Sequence, residues 1–337
     1  MHPNLTCPIC GTEVKAGSFK EVYVSPYNNQ EYKRYECSNC DVHWWEPLKI
    51  IPEFYESEVF EDYIAFHEGV GTRLGENHKA FFKYFPSNVR GKLLDVGCGD
   101  GRFLRYAKEQ GFEVWGIDFD KKSVENVKRN LGIDTVFAMS LEEFYEYAKE
   151  KNLKFDVITF FEVLEHQDKP REFLEMVKGL LKEGGYIAGS VPNRESFFVK
   201  ELYQRIYTWS DNPPHHFLRF SKFSLQKSLE INGFTQVEVF KTDYPFVDLF
   251  PFIEKKIFGN LDTVKITIKS MITGNKRKAK LLIDDLVGQN IPKEKVLVLK
   301  MLKLFRNLVV LPFSILYITK LKENGISLYF QAKFLLD

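Results

Sequence analysis

No stretch of this sequence stays apolar for the ~20 residues that a membrane-spanning helix needs. Residues 1–10 also hold no apolar run, so a secretory leader is not expected at the start. A charge excess of one sign is missing too, since the formal net charge is only +1. That near-zero total hides an asymmetry. Residues 251–325 carry 15 Lys or Arg against 6 Asp or Glu, a net of +9, which leaves −8 for the rest. Only the late segment is therefore suited to an anionic surface. Cysteine is scarce, with five residues, four of them in the pairs Cys7/Cys10 and Cys37/Cys40. So few cysteines, paired this way, exclude a disulfide framework and point to a reducing compartment and a metal. What the chain has in quantity is apolar mass. It is 44% hydrophobic with 31 Phe, and its 337 residues hold one large domain with appendages or two domains.

Residues 1–50 read as a small module built on those cysteines. The knuckles CPIC and CSNC offer four thiolates, the number that closes a tetrahedral structural zinc site and leaves no open position for catalysis. FKEVYVS and YKRYE between them read as a hairpin, making a zinc ribbon with Cys7, Cys10, Cys37 and Cys40 as ligands. So small a module has little core of its own, and metal would supply much of its folding free energy. The module holds five Lys or Arg and six Asp or Glu, which gives no electrostatic footprint for nucleic acid. Trp44 and Trp45 are expected to pack the ribbon onto the segment after it. Residues 51–90 read as a helical linker, with Tyr63 and Arg73 as candidates to cap a ligand.

The centre of the chain is LLDVGCGDG, from Leu93 to Gly101. An apolar strand runs into a glycine-rich turn, RFLRYAKEQ follows as a helix, and EVWGID ends a second strand at Asp118. Gly97, Gly99 and Gly101 allow a sharp turn and close approach of a ligand. An acidic residue at the end of the next strand accepts hydrogen bonds from a ribose diol. Asp95 and Asp100 would repel a pyrophosphate but suit a ligand carrying ammonium and sulfonium groups. That description fits S-adenosylmethionine better than NAD or ATP. Strand and helix then alternate through FDVITFF, PREFLEMVKGLLK, stopping at Gly184-Gly185, and YIAGSVPN, which predicts a doubly wound parallel sheet with its ligand at the carboxyl ends of the strands.

LLDVGCGDGRFL, GID, FDVITFFEVLEHQDKP and LLKEGGYIAGSVPN together resemble class I S-adenosylmethionine-dependent methyltransferases, most of all a bacterial subgroup acting on small molecules, sugars or lipids. Several of that subgroup carry an N-terminal CxxC…CxxC module and a PHH motif, as in PPHHFLRFS here. The resemblance implies an α/β Rossmann-like seven-stranded sheet, the methyltransferase fold. The domains expected are the ribbon at 1–50, a helical linker or cap over the cofactor site at 51–90, a core at 91–244 and 326–337, and a basic helical insertion at 245–325. It also implies site roles. Gly97, Cys98 and Gly99, beside Asp95, would pass the methionine part of the cofactor. Asp118 would hold the ribose and Phe119 would pack on the adenine. Ser140 and Leu141 would lie at the adenine edge, where Ala138-Met139 replaces an acidic residue found in many relatives. Phe161 and Glu162 would line the methyl-transfer channel.

The sulfonium already activates the methyl group, so catalysis consists mainly of aligning a nucleophile, and a hydroxyl nucleophile needs a base. His166, His215 and His216 are the candidates, His216 being preferred over His215. His166 is equally suited to fixing the loop. Asn193 is placed to orient a substrate hydroxyl, and Tyr203, Tyr207 and Trp209 to wall a pocket or pack the core. The expected acceptor is a hydroxyl of a sugar or lipid-linked small molecule, with C-methylation of a keto-sugar or methylation of structured RNA as alternatives. The segment 290–322 combines a basic face with an apolar run broken by Pro312 and Ser314, too short to span a bilayer. It is suited to a membrane interface, a cover over the site or a subunit contact. A cytoplasmic, membrane-peripheral location is the resulting expectation.

Overall fold

The computed structural model describes residues 4–55, 74–202, 211–244, 246, 249–259, 267–268, 270–271, 293–321 and 324–335. Tyr63, Arg73, Tyr203, Tyr207 and Trp209 lie outside the described residues.

The ribbon begins with a short antiparallel pair, β1 (Leu5–Thr6) and β2 (Glu13–Val14). β3 (Glu21–Val24), β4 (Glu31–Glu36) and β5 (His43–Glu46) follow as an antiparallel meander. A single turn, α1 (Pro52–Tyr55), comes next, and α2 (Glu76–Tyr84) leads into the core. The core alternates as its apolar strands and amphipathic helices dictate. Its elements are β6 (Lys92–Val96), α3 (Arg102–Glu109), β7 (Glu113–Asp118), α4 (Lys121–Leu131), β8 (Val136–Ala138), α5 (Leu141–Glu150), β9 (Phe155–Phe161), α6 (Pro170–Leu180) and β10 (Leu181–Pro192). Short α7 (Phe197–Leu202) and β11 (Leu218–Arg219) precede α8 (Lys222–Ile231) and β12 (Phe234–Lys241). α9 (Leu249–Phe258) and the long α10 (Lys293–Ile315) come before the last strand, β13 (Ser327–Phe334).

The seven-stranded sheet runs β12-β13-β10-β9-β6-β7-β8. β10, β9, β6, β7 and β8 are mutually parallel, and β13 is antiparallel to both its neighbours. β6 and β9 are buried along almost their whole length, as strands covered on both faces must be. The carboxyl ends of β6, β7 and β9 therefore share one edge of the sheet, where a doubly wound fold binds its ligand.

Two expectations are corrected. α6 ends at Leu180, not at Gly184-Gly185. Leu181 is buried and already pairs with Phe155, and the register breaks before Tyr186. The glycines serve that break: Gly184 has φ +74°, and a Cβ on Gly185 would meet the Lys182 carbonyl at 2.8 Å. Likewise Pro312 does not interrupt the late apolar run, because α10 passes through it.

The ribbon does not stand apart from the core. Cys7, Ile9, Tyr35, Val42 and Trp44 belong to the same buried cluster as Leu94, Val96, Phe173 and Leu218. Its meander is extended by β11, which pairs with β5 through Leu218–Trp44 and Arg219–His43. Asp41 binds both Arg194 and the Ser221 hydroxyl, and Asn232 donates to the Ile9 carbonyl. A module of this size cannot bury enough surface alone, so it completes its core against its neighbour.

Candidate active site

The turn after β6 is held by its own backbone. Gly97 and Cys98 both donate to the Ile117 carbonyl, at 2.8 and 3.0 Å. Gly97, Gly99 and Gly101 have φ of +76°, +51° and +72°, a region that side chains disfavour. Gly101 also has no room, since a Cβ there would lie 2.7 Å from the Val127 methyls. Asp118, at the end of β7, ties the two loops together by accepting from Gly99 N–H at 2.8 Å and Asp120 N–H at 3.0 Å. Burial raises its pKa against those bonds. Asp95 is buried beneath the turn and accepts from the Thr159 hydroxyl at 2.7 Å. Burial, reinforced by the Asp118 charge, pushes its pKa up to about 8. Buried Asp95 and partly buried Asp118 lie near enough for one charge to act on the other, a strain that a cationic ligand would ease.

Asp100 is different from what its position implied. It is paired with Arg102 at 2.6 Å, so it is not an unpaired charge awaiting a ligand. Cys98 points its thiol into the core against Gly116, where a Cβ would lie 2.9 Å from its sulfur. It can offer a ligand only its backbone. Phe119 is 66% exposed beside Asp118. The Ser140 hydroxyl caps α5, accepting from Glu143 N–H, while the Glu143 carboxylate accepts from Ser140 N–H. Leu141 is buried in the core.

Past β9, Glu162 adopts φ +55° and accepts from the Ser190 hydroxyl at 2.7 Å. Ser190 in turn accepts from Asn77 of α2 at 3.3 Å. Phe161 sits edge-on to His78, with centroids 4.6 Å apart. Burial pushes the His78 pKa down to about 4. Asn77 and His78 are residues that sequence reasoning missed, and their signal is weak, since two polar residues in an aromatic helix look like ordinary solvated positions.

The three candidate histidines come together. Ligand-capable atoms of His166, His215 and His216 all lie within 4.8 Å of one another. His166 follows Glu165 in a single 3₁₀ turn (Leu164–His166). The Phe217 N–H donates to the Glu165 carbonyl at 2.9 Å, which draws the 211–217 loop onto that turn. His216 Nδ1 lies 3.4 Å from Asp211, itself paired with Arg219. Burial, with the neighbouring His215, holds the pKa of both His166 and His216 well below the usual imidazole value. Asp211 and Arg219 also escaped the sequence reading, although both flank the PHH motif. Asn193 is buried, with Oδ1 accepting from Glu195 N–H and Nδ2 without a partner.

In the ribbon, Cys7 and Cys40 sulfurs are 3.6 Å apart and Cys10 and Cys37 3.4 Å apart. Four sulfurs bound to zinc at ~2.3 Å lie about 3.8 Å apart, so this set fits a tetrahedral ion. The contact between Cys7 and Cys40 lowers the Cys7 thiol and raises that of Cys40, and burial raises Cys37, so without an ion the set favours one thiolate rather than four.

Comparison with known proteins gives the same picture. The ubiquinone biosynthesis O-methyltransferase of Schizosaccharomyces pombe is 32% identical over 105 residues, 31% of this chain and 38% of that protein. Its counterpart in Bordetella avium is 28% identical over 158 residues, 44% of this chain and 65% of that protein. The chain thus spans about half the length of the curated relatives it matches. A chain in the Haloferax volcanii complex between the Trm112 methyltransferase activator and a methyltransferase shares the fold. Its TM-score is 0.50 at 15% identity, covering 82% of this chain and 96% of that one. A family model described as a methyltransferase domain matches residues 66–239, just over half of the sequence, and the chain belongs to that family.

Proposed function

We propose that this protein transfers the methyl group of S-adenosylmethionine to a hydroxyl of a small-molecule acceptor, sugar or lipid-linked. The observation that carries the reading is one sheet edge. It joins a positive-φ glycine turn, one buried and one partly buried carboxylate, and a partly exposed imidazole cluster. Asp95 and Asp118 suit the ammonium and ribose of the cofactor, Phe119 its adenine, and Gly97 to Gly99 its methionine backbone. A hydroxyl acceptor gives up its O–H proton as its oxygen bonds to the methyl carbon, and the C–S electron pair stays with the departing thioether. His216, kept neutral by burial and oriented by Asp211, is the preferred proton acceptor, with His215 beside it and His166 fixing the loop. Similarity to proteins named O-methyltransferases supports oxygen as the target.

The ribbon cysteines would hold a structural zinc, so that the metal stabilises the strand beside the histidine loop. The same reading allows peripheral membrane contact through 290–322. No helix among the described residues is long and apolar enough to cross a membrane. α10 nevertheless exposes Leu297, Met301, Leu304, Phe305, Leu308 and Phe313, with Lys300 and Lys303 among them. Apolar surface mixed with lysine matches an anionic lipid interface, where a lipid-linked acceptor would be found.

Titration calorimetry with S-adenosylmethionine tests the cofactor, and label transfer from methyl-labelled cofactor to candidate acceptors tests the chemistry. Binding with transfer to a hydroxyl is expected. Absence of cofactor binding would overturn the reading. Flotation with anionic liposomes at low salt tests the membrane arm, with no association as the contrary result.

A further inference from the structure

We infer that His166, His215 and His216 form a second metal site, for one divalent cation of the imidazole-preferring kind such as Zn2+, distinct from the four-cysteine site. The tautomers point that way. His166 Nδ1 lies 2.6 Å from the His215 carbonyl oxygen. A carbonyl only accepts, so Nδ1 carries the hydrogen and neutral His166 has its lone pair on Nε2. His216 Nδ1 faces the Asp211 carboxylate at 3.4 Å, which again puts the hydrogen on Nδ1 and the lone pair on Nε2. A carboxylate or carbonyl on the far nitrogen is how metal-bound imidazoles are oriented. Asp211 is itself fixed by Arg219, so the ring is held from behind.

A second observation is independent of the histidines. Glu165 is completely buried, and neither of its carboxylate oxygens has a hydrogen-bond partner. Its Oε1 lies 3.9 Å from His166 Nε2. Burying such a group beside the Glu162 carboxyl is costly without a compensating cation. Ligand atoms bound to a tetrahedral zinc at ~2.0–2.1 Å sit about 3.4 Å apart, so His166 and Glu165 need close by only about half an ångström to share an ion. The imidazoles, spread over up to 4.8 Å, close by rather more. Three imidazoles with one carboxylate favour Zn2+ or a similar transition ion over Mg2+ or Ca2+, which prefer oxygen ligands.

The role of the ion comes from its place and rests on the methyl-transfer reading. It would take the acceptor oxygen as a fifth ligand beside the three imidazoles and Glu165, and lower the pKa of that hydroxyl, letting the proton leave to water before the oxygen attacks the methyl carbon. The histidines would then be ligands, with the proton no longer assigned to His216.

Metal content per purified full-length chain tests the site whatever the acceptor is. Wild type is expected to hold two equivalents of zinc, and His166→Gln and His216→Gln one each, with cofactor binding unchanged in calorimetry. Zinc content that neither substitution lowers would overturn the inference. If the variants fold poorly, Co2+ titration of the wild type answers instead. Thiolate-to-metal absorption reports the cysteine site, and a second equivalent lacking that absorption reports the histidine site. Saturation at one equivalent, all of it thiolate-bound, would overturn the proposal. Methyl transfer that persists with no metal at the histidines would leave the cofactor reading standing while removing this one.

Discussion

The Gly97–Gly101 turn and the His215–His216 turn lie at the same edge of the sheet, but different distances along the chain hold them in place. The first is closed within a short stretch: Gly99 donates to Asp118, 19 residues on, and Gly97 donates to Ile117. The second depends on remote segments. His166 reaches His215 across 49 residues, and β11 is paired to β5 of the ribbon. Asp41 of the second cysteine knuckle binds Ser221 across 180 residues. One half of the site follows from local backbone geometry, and the other exists only if the ribbon is folded. On the proposed reading, methyl donor and acceptor would be handled by parts of the molecule that different segments of the chain hold in place.

Breaking the ribbon should separate the two halves most strongly. Cys37→Ser combined with Cys40→Ser removes two of the four thiolates and with them the ion's contribution to folding. Acceptor methylation is expected to fall at least ~100-fold, because β5 no longer positions β11 and the histidine loop. Affinity for S-adenosylmethionine should stay within about threefold, provided both are measured below the variant's melting temperature. Equal loss of both would mean that the halves cannot be uncoupled. Asp118→Ala attacks the other side. It removes the proposed ribose acceptor and strands the Gly99 and Asp120 N–H groups. Cofactor affinity should drop ~10–100-fold, about 1.4–2.8 kcal/mol, with turnover at saturating cofactor much less affected.

A pH series sharpens the comparison at the donor end. Asp95 is protonated below about 8 in the free protein, far above its ordinary value, because it is buried. The folded pKa is raised, so between about 4 and 8 the folded state binds the extra proton. Stability contributed by this group therefore falls as pH rises through that window and levels off above it. A cationic ligand reverses the preference, since it favours the ionised carboxylate. The dissociation constant for S-adenosylmethionine should then fall as pH rises toward 8, by at most tenfold per unit, and flatten beyond. S-adenosylhomocysteine, without the sulfonium, should show a shallower slope, and Asp95→Asn should abolish the dependence.

The fold around the glycine turn was legible because its physics is periodic and local. Buried strands, glycines at positive φ and an acidic residue at a strand end leave marks that can be read in order. The ribbon was equally legible as a cysteine pattern, but its dependence on the core was not. Nothing in HWWE announces that its next neighbour in the sheet is Leu218-Arg219. The roles of Asp211 and Arg219 were hidden for the same reason, since buried ion pairs are set by tertiary placement. Asp100 and Ser140 have local partners that the sequence order did not announce. Both occupy positions where a ligand contact is natural, yet each satisfies a local demand, an arginine for one and a helix N-terminus for the other.

Ser140 offers the smallest and most selective test of that distinction. In the structure its hydroxyl accepts from Glu143 N–H at 3.2 Å, and the Glu143 carboxylate closes the box at 2.9 Å. Ser140→Ala removes one of these bonds and leaves a helix N–H without its side-chain partner. A loss of about 1 kcal/mol in chemical denaturation is expected, with Glu143→Ala producing a similar change. If the hydroxyl serves only the helix, cofactor affinity should move less than about twofold in either variant. A tenfold loss in Ser140→Ala alone, absent in Glu143→Ala, would assign Ser140 to the adenine edge and extend the donor site beyond the two strand ends that now define it.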